Sequence, residues 1–108
     1  MSSYRLLVAF SVFLFSVSTI SAQGTADLVG RVTDPSGAVL PGVSVTAENA
    51  ATGAVRTEIT SETGDYVFNL LPVAAYTVKI ELAGFRTYTT RVTLATGDRA
   101  RVDAQLKT

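Results

Sequence analysis

Two patterns divide this 108-residue chain. From Leu6 to Ile20 the residues are apolar almost without a break, diluted only by four Ser or Thr. From Ala26 onward, apolar and polar residues alternate in short runs separated by glycine-bearing turns. A period of two sends successive side chains to opposite faces of a strand. Leu28, Gly30 and Val32 therefore share one face of a first strand, and Val43, Val45 and Ala47 one face of a second. Val55 to Thr60 is more polar and is expected at a sheet edge, where charge discourages pairing with other chains and accounts for Arg56 and Glu58. Tyr66 and Phe68 point the same way in a fourth. Tyr76, Val78, Ile80 and Leu82 face the core in the strongest strand, with Thr77, Lys79 and Glu81 toward water. Tyr88, Thr90, Val92 and Leu94 line a sixth, and Ala100, Val102, Ala104 and Leu106 a seventh.

The breaks between these runs carry turn chemistry. Asp34-Pro35-Ser36-Gly37, Pro41-Gly42, Ser61-Glu62-Thr63-Gly64-Asp65, Ala83-Gly84-Phe85 and Thr96-Gly97-Asp98 combine residues that preset the backbone, bond to it or tolerate its left-handed region. No helical periodicity follows the leader. Seven short strands, each with one buried face, predict an all-β fold: a seven-stranded antiparallel β-sandwich of two packed sheets. It fills residues 23–108 as a single domain.

The leader has the parts of a secretory signal peptide: Arg5, the apolar stretch, and the small residue Ala22 before Gln23, where cleavage is expected. An uncleaved anchor needs about 20 mostly apolar residues, and this stretch is 15 residues long, four of them Ser or Thr. Residues 1–22 are thus expected to form a signal-peptide helix, leaving no membrane anchor after cleavage. The mature chain has eight basic side chains against nine acidic, a net charge of −1. Near-neutrality argues against nucleic acid, whose binding requires neutralising many phosphates, and against a polybasic membrane patch. With no cysteine, the domain has no disulfide to supplement a small core. An exported chain without cysteine points to a bacterial periplasm, outer-membrane surface or extracellular space.

The chemistry that is missing narrows the function further. Histidine and cysteine are both absent, which removes zinc sites and His-based triads. Asp34, Glu62, Asp65 and Asp98 occur singly, each inside a turn, where they shape the backbone rather than form a dense calcium loop. The serines lack a base, and the glycines lack the strand-to-helix setting of a phosphate loop. No catalytic, metal or cofactor-binding residue is predicted, and no enzyme activity. Sugar platforms favour exposed aromatics, yet tryptophan is absent and Tyr66, Phe68, Tyr76 and Tyr88 fall on the predicted core face. Phe85, at a turn tip, is expected to cap the open end of the sandwich.

Gly30-Arg31-Val32-Thr33-Asp34-Pro35-Ser36-Gly37-Ala38-Val39-Leu40-Pro41-Gly42-Val43-Ser44-Val45 closely resembles the opening of carboxypeptidase regulatory-like domains. The resemblance continues through Thr63-Gly64-Asp65-Tyr66-Val67-Phe68, Leu71-Pro72, Tyr76-Thr77-Val78 and Gly84-Phe85. It implies a transthyretin-like seven-stranded sandwich that accompanies enzymes without sharing their chemistry. In bacteria such domains often open exported proteins, large TonB-dependent outer-membrane receptors among them. One departure stands out. The family's Leu-Pro-x-Gly-x-Tyr-like run becomes Leu71-Pro72-Val73-Ala74-Ala75-Tyr76, which costs about 1 kcal/mol if the glycine position has positive φ.

The expected function is that of a non-enzymatic exported module at the cell envelope, structural or protein-binding. Its expected contacts are the edge around Arg56 and Glu58 and the turn-rich ends, Phe85 included. The alternatives are a carbohydrate-binding module and the N-terminal part of a TonB-dependent receptor. Mass spectrometry of protein exported from a bacterial host should find an N-terminus at Gln23. Intact Met1 in a membrane fraction is the contrary result.

Overall fold

The computed structural model describes residues 24–108, so the expected signal-peptide helix and the Ala22–Gln23 cleavage site lie outside the described residues. Eight strand segments follow one another: β1 (Thr25–Thr33), β2 (Ser44–Asn49), β3 (Val55–Ile59), β4 (Asp65–Pro72), β5 (Ala74–Glu81), β6 (Tyr88–Leu94), β7 (Arg99–Arg101) and β8 (Ala104–Gln105). One sheet has the order β4-β1-β7, with β8 also pairing β1, and the other has the order β3-β2-β5-β6. Among the described residues no helix is long and apolar enough to cross a membrane.

The alternation of the sequence becomes the packing of the two sheets. Leu28, Val32, Phe68, Leu71 and Leu106 from the first sheet meet Val43, Val45, Val78 and Ile80 from the second, all at 0–1% exposure. Tyr66 and Tyr76 are buried with them, while Tyr88 and Phe85 pack half-buried at the border.

The seventh strand departs from an all-antiparallel arrangement. β7 and β8 are its two halves, and both run parallel to β1, through Leu28↔Ala100 and Val32↔Ala104. The interruption falls at Val102-Asp103. There Val102 N donates to Val29 O at 2.8 Å, and the Asp103 carboxylate accepts from Arg31 N at 2.9 Å, replacing a backbone acceptor. The Tyr66 hydroxyl donates to Val102 O at 2.6 Å. Gly30 lies beneath this contact, and a Cβ there would overlap both Val102 O and the Tyr66 ring. Gly30 is thus required by close approach of backbone and side chain, not by its own dihedrals.

A second irregularity sits in β4. Pairing with β1 shifts register between Ala26 and Leu28, so that Leu70 bulges outward. Leu70 is 69% exposed and has φ 58°, the only positive φ among described non-glycine residues. Its amide is held by Asp27 Oδ1 at 3.1 Å. Ala74 and Ala75, at the family's glycine position, have ordinary φ. The expected strain is absent there and lies at Leu70 instead.

Replacing Ile80 by Ala removes a fully buried side chain and should cost about 2–5 kcal/mol, whereas Lys79→Ala on the opposite face should cost less than about 0.5 kcal/mol. Gly30→Ala should rank with Ile80→Ala. Denaturant melts of the three variants decide this, and equal costs for Ile80 and Lys79 would overturn the face assignment.

Candidate functional site

The turn carboxylates are used locally. Asp34 Oδ1 accepts from Ser36 Oγ (2.6 Å), Ser36 N (2.8 Å) and Ala38 N (3.0 Å). These bonds, the Ser36 hydroxyl's above all, hold its carboxyl below the usual range. Asp65 accepts from Arg31 Nε at 3.0 Å and Thr63 Oγ1 at 2.7 Å, and Arg31 likewise holds it low. Asp98 Oδ2 accepts from Ala95 N at 2.9 Å. No three Asp, Glu, His or Cys side chains gather to hold a metal ion among the described residues.

The outer face of the first sheet carries three ion pairs: Arg31–Asp65 (3.0 Å), Arg99–Asp27 (3.4 Å) and Arg101–Asp103 (3.0 Å). Burial pushes the Asp103 carboxyl up, but the hydrogen bonds from Arg101 and from the Arg31 amide outweigh this and leave it lowered. Positive and negative charges balance there, and the pairs are exposed, so this face has no surplus charge for a ligand.

β3 is an edge strand, as its composition suggested, but its charges point inward. The register Ala47↔Arg56 and Val45↔Glu58 puts Arg56 and Glu58 on the inner side of the sheet. Val55 and Ile59 lie on the outer side, 54% and 58% exposed. Arg56 reaches across to the other sheet. Its Nη1 donates to Asn69 O at 2.9 Å and Leu70 O at 3.5 Å, and its Cζ lies 5.9 Å from the Phe68 ring centroid. Inward charge on an edge strand discourages a further strand.

Arg56 also borders a cleft of about 460 Å³ between the β2–β3 turn and the β4-to-β5 crossing. Ala47, Ala51, Ala54, Ala74, Leu71 and Pro72 supply much of its wall. Asn49 shapes the turn: its Oδ1 accepts from Ala51 N (2.8 Å) and Thr52 N (3.1 Å), and its carbonyl from Gly53 N (2.8 Å). This cleft was not foreseen from the sequence, because four alanines in separate runs give no signal. Only Asn49 before Ala-Thr-Gly marks the turn.

The four sheet edges differ. β4 is bulged, the β7–β8 edge is broken, and β3 is short with inward charge. β6 pairs β5 without a shift from Ala74↔Leu94 to Ile80↔Tyr88, and no strand flanks its other side among the described residues. The sequence-predicted contacts are thus dispersed: Arg56 and Glu58 lie on β3, and Phe85 lies in the turn before β6.

The described residues form a two-sheet sandwich whose turns are ordered by backbone and side-chain hydrogen bonds. The carboxypeptidase regulatory-like domain model matches residues 27–107, and the chain belongs to that family. No curated protein matches the sequence. Among solved structures, the chain is similar to the Bacillus anthracis TIE protein, with TM-score 0.67 and 20% identity over 78% of this chain and 16% of that one. It is similar to 3-chlorocatechol 1,2-dioxygenase from Rhodococcus opacus 1CP, with TM-score 0.65 and 14% identity over 80% and 60% of the two chains. A candidate carbohydrate-binding protein from Pseudomonas aeruginosa gives TM-score 0.59 and 20% identity over 82% and 93%. This chain spans less than two thirds of the first two proteins, and the likeness to all three is one of fold.

The lowered carboxyls set the acid response. A group that titrates lower when folded contributes stability above its unfolded value and loses it as pH falls through the folded one. For Asp34, Asp65 and Asp103 the ordinary value is 3.8. The melting temperature should therefore hold from neutral pH to about pH 5 and fall below about pH 4. In Asp65→Asn that fall should be shallower, and an unchanged acid profile would show that the Arg31 pair has no part in it.

Proposed function

We propose that this chain is an exported, non-catalytic module of the cell envelope that offers the free edge of β6 to a protein partner. The observation that carries the reading is that edge: regular over the whole of β6, and unprotected by the bulge, break or inward charge of the other three. An unpaired edge presents backbone donors and acceptors to an extended partner segment, with alternate side chains setting specificity. Arg91 is the only charged side chain in β6, against Arg56 and Glu58 in the shorter β3. Export rests on the leader, whose Arg5, apolar core and Ala22 fit a signal peptide. Membership in the family supports a role alongside other domains, including service as the N-terminal module of a TonB-dependent receptor.

Carbohydrate binding is the second reading, favoured by the fold shared with the Pseudomonas aeruginosa protein. Against it, Tyr66, Phe68 and Tyr76 are buried in the core and make no exposed platform. A photo-reactive residue placed at Thr93 on β6 should form specific protein adducts in the exporting cell, and one at Thr46 on the central strand β2 should not. Equal labelling at both positions, or none, would overturn the edge reading. A melting-temperature rise with an oligosaccharide and no adducts would establish the second.

A further inference from the structure

We infer that the cleft beside Arg56 is a binding site for a small apolar monocarboxylate: a hydrocarbon chain or ring bearing one carboxylate. Its volume, about 460 Å³, lies within the range of small-molecule sites, about 300–1,000 Å³. The short methyl groups of Ala47, Ala51, Ala54 and Ala74 leave this space open, and Leu71 and Pro72 make its wall hydrocarbon.

Two polar groups set the class of ligand. Arg56 has no carboxylate partner among the described residues, whereas Arg31, Arg99 and Arg101 each have one. Among the described residues only Nη1 of Arg56 is engaged, by the carbonyls of Asn69 and Leu70, so Nε and Nη2 are left to an incoming acceptor. Asn49 is 6% exposed and lines the same cleft. Its Oδ1 is taken by Ala51 N and Thr52 N, and its Nδ2 has no partner among the described residues. Among the described residues no fully buried side-chain nitrogen or oxygen lacks a bond, so Nδ2 meets open space, and the cleft is the space that Asn49 borders. Both free groups are donors, and one carries a full positive charge. A carboxylate supplies only acceptors and the opposite charge, whereas an amine is repelled and a sugar brings hydroxyl donors that need acceptors in return.

The backbone supports Arg56 in this position. Leu70 keeps its left-handed φ of 58° at the bulge whose carbonyls hold the guanidinium. Such strain persists where its surroundings fix it, and it concentrates at ligand sites. The cleft is walled by the β2–β3 turn and the β4-to-β5 crossing, and none of its lining residues belongs to β6, so this inference does not depend on the partner-strand reading.

Amide NMR titration of protein purified after expression of the full chain, with octanoate, octan-1-ol and octylamine, tests it. Octanoate should shift the amides of Ala51, Thr52 and Ala74 saturably, octanol should bind about tenfold or more weakly, and octylamine should leave them unmoved. Ala74→Leu, which fills the cleft, should abolish octanoate binding while keeping the melting temperature. Arg56→Gln should weaken binding by about tenfold or more. Octanol binding as tightly as octanoate, binding unaffected by Ala74→Leu, or no saturable shift up to the solubility of octanoate would overturn the site.

Discussion

The fold depends on burying one face of each sheet against the other, because the chain has no cysteine to staple it. A domain of this size buries a smaller share of its surface than a large one, so each inward position carries weight. The core answers with β-branched, leucine and aromatic side chains at 0–2% exposure, Val45, Val78 and Ile80 facing Leu28, Tyr66 and Phe68. β-Branched residues suit such strands, since their restricted χ1 costs little on a pleated surface. The glycine-bearing turns keep the strands short enough for both sheets to close over this one core.

Hydrophobic burial alone does not fix the margins, and polar contacts define them. Tyr66 ties the first sheet to the interruption at Val102. The Thr60 hydroxyl donates to Leu40 O at 2.7 Å and accepts from Val43 N at 2.9 Å, clipping the start of β2 to the preceding loop. Arg56 bridges β3 to the bulged end of β4. The Tyr66 and Thr60 bonds satisfy groups that would cost about 1–3 kcal/mol if buried unpaired, whereas the Arg56 bonds are exposed. The same contacts decide which surfaces stay available, since an edge occupied by such a contact no longer offers its backbone.

Alternation made most of the architecture legible. The inward residues named from period two in β1, β2, β4 and β5 are those the structure buries, and the edge position of β3 followed from its polarity. Three features were not legible. In the segment Val55-Arg56-Thr57-Glu58-Ile59 the apolar residues face outward, because the wider second sheet has four strands and β3 lies at its margin, where the inner side is open enough to solvate charge. The bulge at Leu70 was hidden because Leu70-Leu71 supplies an apolar residue on either parity, so the pattern survives a one-residue slip. The parallel run of β7 and β8 is also invisible to periodicity, which reports faces and not strand direction. The candidate sites fared worse than the fold, since a cleft made by missing side-chain volume leaves no motif.

The order β3-β2-β5-β6 puts β3 and β6 at opposite margins of the second sheet. At one margin, the inward charge of Arg56 and the bulge at Leu70 spoil the edges of β3 and β4 as templates for another strand, and Arg56 also borders the cleft. At the other, β6 keeps a straight edge because neither device is present. Blunting an edge and building a concave site are here one structural act: the bulge that turns backbone carbonyls toward Arg56 also takes them out of line for a further strand. A sandwich that protects one margin in this way while leaving the other regular is suited to engaging two ligands of different kind, one by side-chain chemistry and one by backbone pairing. The cleft and the β6 edge share no residue among those described, so the two surfaces should act independently.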